Sequence, residues 1–326
     1  MIYGVPERMV TPSMKRLGIW NGGIIQIVTT RACDLACFGC TAGSNLVSKP
    51  AVMTPEQFEE AVASLDGYWG VVGCFGGNPC TSRYFEDYCR ILRARVPFPQ
   101  RGLWTNNLMG KGSTARITFN PATSNVNVHM QSEAYAEFER DWPEALDARK
   151  AHTTAGLTQD SLHGTPWISM VDAGIPEEQR IKLIGSCDIN ATWSAAIAIV
   201  GGRPRAFLCE IQAHMAALHA DNADWAGSGE AMPDWGLEVE PGWWRKPLAE
   251  FANQVGGMCH HCAIPMRRPG QFAIGGEAEE FSETHRHIAR PKAKQRPVRV
   301  IESIGVVERS ARPSTEYLPH TSPSRR

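Results

Sequence analysis

The sequence lacks a charge excess of either sign. Lys and Arg number 33 and Asp and Glu 34, a net charge of −1, so the molecule as a whole carries no field that would draw it to nucleic acid or to an anionic membrane. It also lacks any apolar run approaching the ~20 residues of a membrane span, and no membrane partner is expected. The N-terminal Met1-Ile2-Tyr3-Gly4-Val5-Pro6-Glu7-Arg8 has no basic leader followed by an apolar stretch. No secretory signal is therefore expected, and the expected compartment is the cytoplasm. Without export, ten cysteines do not read as a disulfide framework. Clustered cysteine in a cytoplasmic chain points instead to metal or redox chemistry. Hydrophobic residues make up 43% and charged residues 21% of the chain, ordinary values for a globular protein with a sizeable core. The near-neutrality conceals one asymmetry: from His285 to Arg326 there are ten Lys/Arg against three Asp/Glu, a local +7 that leaves −8 for the rest.

Cys33, Cys37 and Cys40 form a C-x3-C-x2-C run directly after the apolar stretch Ile24-Ile25-Gln26-Ile27-Val28. That stretch, bounded by Gly22-Gly23, predicts a buried strand. Ligand loops at the C-terminal ends of strands are where open α/β sheets and β/α barrels build their active sites. Three thiolates can hold a cubane iron–sulfur cluster by three of its irons and leave the fourth open. Zinc wants a fourth ligand that this loop does not offer, and buried free cysteine is the other plain alternative.

The motif resembles the cluster loop of the radical S-adenosylmethionine (radical SAM) superfamily. It departs from it in having Gly39 before the third Cys, where an aromatic residue is usual, with Phe38 one position earlier. Further elements fit the same resemblance. Thr54-Pro55-Glu56-Gln57 predicts a capped helix start. Gly70 to Phe75 predicts a second strand running into Gly76-Gly77-Asn78-Pro79, similar to the family's Gly-Gly-Glu-Pro turn that grips the methionine amino group of SAM, with Asn78 in place of Glu. A helix is expected over 84–96 and a third strand from Leu103 into Thr105-Asn106-Asn107, similar to the family's Thr-Asn-Gly strand end. A fourth strand is expected at Val126–Met130, whose end, with His129 and Ser132, corresponds to the SAM ribose contact; a satisfied core or loop histidine is the plainer role for His129. A fifth strand is expected at Trp167–Val171. Cys74 and Cys89 read as packing residues, and Cys80 as packing or as a hydrogen donor facing the cofactor.

Cys187, Cys209, Cys259 and Cys262 have the spacing C-x21-C-x49-C-x2-C. Apolar runs on either side of Gly201-Gly202 predict a hairpin with Cys209 at its far end, and Cys259-His260-His261-Cys262 is a two-ligand clip. The pattern resembles the twitch domain, the shortened SPASM auxiliary-cluster domain, and in layout is similar to the twitch-type 2-deoxy-scyllo-inosamine dehydrogenases. A structural four-Cys zinc site is the rival. His260 and His261 read as exposed or as neighbours that tune the site. Trp225, Trp235, Trp243 and Trp244 read as loop anchors or as a substrate lid. The basic, Pro- and Ser-rich end reads as a solvated tail, with an acidic partner or nucleic acid as the alternative.

The resemblance implies an α/β fold, with a partial (β/α) barrel of the radical SAM type over 1–175 and a small twitch-like α+β domain over 176–282; composition implies a basic, disordered tail over 283–326. It implies a SAM-binding 4Fe-4S cluster on Cys33, Cys37 and Cys40, and SAM held by Phe38, Gly39, Gly76, Gly77, Asn78, Pro79, Thr105, Asn107, His129 and Ser132. A second 4Fe-4S cluster falls to Cys187, Cys209, Cys259 and Cys262. The implied chemistry is reductive cleavage of SAM to a 5′-deoxyadenosyl radical that abstracts hydrogen from a small-molecule or peptide substrate. The electron donor would be of the flavodoxin or ferredoxin type, and the auxiliary cluster would serve a two-electron oxidation. A peptide-modifying maturase or an epimerase is an alternative within the superfamily. A non-catalytic zinc and nucleic-acid-binding protein is the alternative outside it.

Overall fold

The computed structural model describes residues 23–35, 40–46, 50–128, 132–153, 166–187, 194–220, 224–266, 279–288 and 298–300. Its centre is an open seven-stranded sheet with the order β4-β3-β2-β1-β5-β6-β7. The strands are β1 (Ile24–Thr30), β2 (Val71–Gly76), β3 (Arg101–Thr105), β4 (Asn125–Val126), β5 (Ser194–Val200), β6 (Arg203–Phe207) and β7 (Leu237–Glu238). β1 to β4 run parallel, and β5 lies parallel to β1 on its other side. β6 and β7 are antiparallel additions. β1 and β5 are apolar almost throughout because, as central parallel strands, they are covered on both faces. A separate parallel pair joins β8 (Glu279–Phe281) and β9 (Val298–Val300).

The crossovers are helical. α1 (Pro55–Ala63) starts with the expected capping box: Thr54 accepts from the Gln57 N–H, and the Gln57 side chain accepts from the Thr54 N–H. α2 (Phe85–Arg95) and α3 (Gly112–Thr118) follow β2 and β3. They cover one face of the sheet, where Ile25, Ile27, Val72, Cys74 and Leu103 meet Phe58, Phe85, Leu92 and Phe119. Burying each of these phenylalanines contributes on the order of 1.5–3 kcal/mol. Next come α4 (Glu133–Asp141), α5 (Pro143–Thr153) and α6 (Glu177–Gly185). α7 (Glu210–His219) lies on the opposite face of the sheet, packing Ala213, Ala216 and Ala217 against Val28, Ala196 and Ala198. α8 (Ala252–Met258) leads into the Cys259–His261 turn.

The structure departs from the sequence reading at two expected strands. Trp167–Val171 is apolar and Trp167, Ile168 and Met170 are buried, yet it forms turns rather than a strand. Its polar groups are used locally: Ser169 Oγ accepts from the N–H groups of Val171 and Asp172, and the Ser169 N–H donates to Ser282 Oγ. The fourth strand ends at Val126, and His129 and Met130 lie outside the described residues. One sheet runs across the expected 175/176 boundary, with β5 paired to β1. The tail's first residues, Glu283–Ile288, form a docked 3-10 turn with Thr284, His285 and Ile288 buried.

Candidate functional site

β1 delivers the Cys33 loop at its C-terminal end, beside the end of β2. There Gly76-Gly77-Asn78-Pro79 packs backbone to backbone against it. The Gly77 N–H donates to Thr30 O (2.9 Å) and the Asn78 N–H to Ala32 O (2.7 Å). Gly76 has φ +139°, and a Cβ on it would fall 1.9 Å from Thr30 O; one on Gly77 would fall 2.2 Å from Ala32 O. Only glycine permits this approach. Ser44, on the far side of the Cys loop, is buried beside Gly77, and its hydroxyl has no hydrogen-bond partner.

Asn78 is fully buried and all four of its hydrogen-bonding positions are used. Its oxygen accepts from the Cys80 N–H (3.0 Å) and the Thr105 hydroxyl (2.8 Å), and its NH2 donates to Asp34 (2.9 Å) and to Asn107 O (3.0 Å). Pro79 opens the buried 3-10 turn Pro79–Thr81. Asp34 is the hub that sequence reasoning missed. Its carboxylate also accepts from the side chains of Asn106 (3.1 and 3.2 Å) and Asn107 (3.0 Å). Burial raises its pKa, but the hydrogen bonds from Asn78, Asn106 and Asn107 outweigh burial and hold the carboxyl below its ordinary value. Cys33 Sγ lies 3.6 Å from Asn106 Oδ1 and receives the Leu35 N–H at 3.4 Å. Cys40 is partly exposed, and its carbonyl accepts from the Trp167 indole (3.0 Å). Cys33, Asn78, Thr105 and Asn107 thus meet in one network. Cys37, Phe38, Gly39 and His129 lie outside the described residues. Ser132 is the N-cap of α4, its hydroxyl accepting from the Tyr135 N–H. Cys80 is 1% exposed, inside the hydrophobic core, a poor position for a hydrogen donor to substrate.

The other four cysteines, distant in sequence, line one small cavity of about 30 Å3 together with Ile184, Ile211, Gln212, Met215, Ile264 and Pro265. Cys209 is the N-cap of α7, its sulfur accepting from the Ile211 N–H (3.3 Å). Cys259 and Cys262 keep some exposure as residues but turn their sulfurs inward. Burial pushes the Cys259 thiol up to about 12, and Cys209 and Cys262 well above their ordinary value. Among the described residues, no three His, Cys, Asp or Glu are grouped as they would be around one metal ion.

α7 joins the two cysteine sites. Its first turn lines the four-cysteine cavity. Near its end, Ala217 O accepts from the Arg31 guanidinium (2.7 Å), and Leu218 packs where a Cβ on Gly43 would be. Ten residues of helix span about 15 Å. On its sheet-facing side, Glu210 accepts from Ser194, which accepts from Gln26 (2.8 Å). Although Glu210 keeps part of its surface exposed, burial of its carboxyl pushes its pKa up to about 7 against those hydrogen bonds. His214, one turn on, is completely buried against Phe75 with neither ring nitrogen partnered, and burial lowers its pKa to about 3. The only signal for this pair in the sequence is the Glu-x3-His spacing directly after Cys209, which local pattern alone does not mark as internal.

Neither CxxC histidine is simply exposed. Both are partly buried: His260 accepts from Arg180 (3.1 Å) and His261 lies 3.0 Å from Ser169 Oγ. Behind them runs a row of histidines whose tautomers follow from its end. His285 Nε2 donates to His261 O (2.7 Å), so its Nδ1 accepts from His219 Nε2 (3.0 Å), and His219 Nδ1 accepts from His287 Nε2 (3.0 Å). Trp225, Trp243 and Trp244 are buried anchors. Trp235 packs on Gly257 of α8, where a Cβ would sit 2.3 Å from its ring.

No family model and no curated protein matches the chain. Among solved structures, the crystal structure of BtrN in complex with AdoMet and 2-DOIA aligns over 77% of this chain and 97% of that chain, with a TM-score of 0.42 and 12% identity. A likeness that loose assigns neither fold nor chemistry. No helix among the described residues is long and apolar enough to cross a membrane.

Proposed function

We propose that the chain is a radical SAM enzyme acting on a small-molecule or peptide substrate, with an electron donor of the flavodoxin or ferredoxin type. The observation that carries this reading is the packing of the Cys33 loop on the Gly76-Gly77-Asn78-Pro79 turn, at the C-terminal ends of adjacent parallel strands. The residues fit the cofactors. At the first site the glycines close the turn onto the backbone of the cysteine loop and leave the buried Ser44 hydroxyl beside Gly77 as a polar atom without a partner, and the second site is four thiols in apolar walls. Cys33, Cys37 and Cys40 would hold a 4Fe-4S cluster, and Cys187, Cys209, Cys259 and Cys262 a second. Bound at the first site, such a cluster would supply the one-electron reductive cleavage of SAM that generates a hydrogen-abstracting radical. The chain's own part is positioning.

Asp34 would supply the negative charge that Asn78 lacks for the ammonium of SAM, and Asn78, Asn106 and Asn107 hold its carboxylate in place next to Cys33. The amide donors keep it ionised without a cation of their own. Asp34→Asn should weaken SAM binding about tenfold, the worth of one charge-assisted hydrogen bond, at unchanged iron content. Equilibrium dialysis measures it, and an unchanged affinity removes Asp34 from the site.

The function itself is tested by anaerobic reconstitution. About eight iron per chain with absorbance near ~400 nm, and 5′-deoxyadenosine formed from SAM on reduction, is the expected result. A colourless protein holding zinc sinks the proposal. So does 5′-deoxyadenosine formation that survives Cys37→Ala.

A further inference from the structure

Gln212 stands in the wall of the four-cysteine cavity, on the first turn of α7, and is 4% exposed. Its side-chain nitrogen donates to Cys259 Sγ (3.2 Å) and to Gln254 O (3.2 Å). Its oxygen is buried with no partner, an unmatched acceptor that costs about 1–3 kcal/mol. The amide is held in this orientation by a rigid neighbour. Gln254 is fully buried, accepts from the Leu208 N–H (2.7 Å), and donates to Ala206 O (3.1 Å) and Trp235 O (3.0 Å). The end of β6, the loop before β7 and α8 are thereby locked together around the point from which Gln212 reaches the sulfur.

We infer that Gln212 is a positioning residue for the four-cysteine centre, donating to the Cys259 sulfur and setting how readily that centre takes up an electron. The inference rests on the second site holding an iron–sulfur cluster. A donor to a ligating sulfur favours the more negative, reduced state, and it does so strongly in walls as apolar as Ile184, Ile211, Met215 and Ile264. The Cys209 and Cys262 sulfurs receive backbone N–H groups, from Ile211 and Ile264, which side-chain substitution does not remove. Gln212 adds a donor that substitution does remove, so it is a point at which the sequence adjusts the centre. The electron involved comes from an external one-electron reductant, and no covalent bond to the protein forms or breaks.

The test is a potentiometric titration of the reconstituted full-length chain followed by electron paramagnetic resonance. The second centre is marked as the signal that survives when Cys33, Cys37 and Cys40 are all changed to Ala. Gln212→Met keeps the length and loses the donor. It should make reduction of that centre at least tenfold less favourable, about 59 mV more negative for a one-electron couple, with the first centre's midpoint and the iron content unchanged. Gln212→Glu, isosteric and charged, should move it further the same way and serves as the reading if the Met variant does not fold. A midpoint that stays put in a variant with full iron overturns the role of Gln212 and leaves the cluster assignment standing. Zinc in the four-cysteine site overturns that assignment and this inference with it.

Discussion

Lowering the pH from 7 to 5 should reduce the unfolding free energy by about 2 kcal/mol or more, a large fraction of an ordinary protein's stability. The cause is histidine buried in its neutral form. His214 and His285 have pKa values lowered to about 3, and His219 is held well below 6.5, in each case chiefly by burial. A base whose folded pKa is depressed binds a proton in the unfolded chain before it does so in the native one. Stability is therefore whole above pH 6.5 and falls as the pH drops from there toward 3. At pH 5 His214 and His285 each cost about 2 kcal/mol, from 1.5 pH units at 1.36 kcal/mol per unit. Together they give about 4 kcal/mol, and His219 adds to this in the same direction, by less than an independent group would because it touches His285.

Glu210 works the other way. Its folded pKa of about 7 lies above the ordinary 4.5, so it contributes stability at low pH that is lost as the pH rises through 7, and it returns about 2 kcal/mol at pH 5. Denaturant melts at the two pH values measure the net loss. His214→Leu should shrink the pH 7 to pH 5 difference by about 2 kcal/mol. A stability that does not change over this range would show that these rings are not buried neutral.

Asn78→Asp should cost about 3 kcal/mol at pH 7 despite its near-identical shape. The substitution keeps the oxygen that accepts from Cys80 and Thr105. It replaces the NH2, which donates to Asp34 and Asn107 O, with a second oxygen. Two carboxylates then face each other where 2.9 Å separates donor and acceptor in the parent, and the Asn107 carbonyl loses one of its donors. Like charges at that range cannot both ionise cheaply, so one of the pair takes up a proton at a raised pKa. Measured against the parent at the same pH, the penalty should diminish between pH 8 and pH 6, opposite in sign to the histidine effect. An Asn78→Asp variant as stable as the parent at pH 8 would show that the amide donates to neither partner.

Local pattern made some of this legible and tertiary pairing hid the rest. The capping box of α1, the Gly201-Gly202 hairpin and the strands before Cys33 and Gly76 follow from neighbours within a few residues, and they stand where the sequence puts them. The Gly201 and Gly202 φ values of +57° and +81° are those a two-residue hairpin turn needs. Trp167–Val171 misled because an apolar run records burial, not backbone direction; Ser169 and Ser282 decide the latter from 113 residues apart. At the site, Thr105, Asn107 and Asn78 were found as motif positions. Asp34 was not, because a carboxylate matters here through three amides from two other strand ends, and no spacing within the loop encodes them. Gln212 and His214 look like ordinary helix residues until α7 is laid across the sheet.

The long reach of the contacts around Cys33 also fixes an order of events during synthesis. Arg31 grips Ala217 across 186 residues, Trp167 holds Cys40 across 127, and Asn106 meets Cys33 across 73. At ribosomal rates of about 5–20 residues per second, the first three thiols would wait roughly 10 to 40 s for the helix that closes their loop. If the loop holds the proposed cluster, metal loading before that point would meet an unwalled loop, and iron insertion would belong after release of most of the chain.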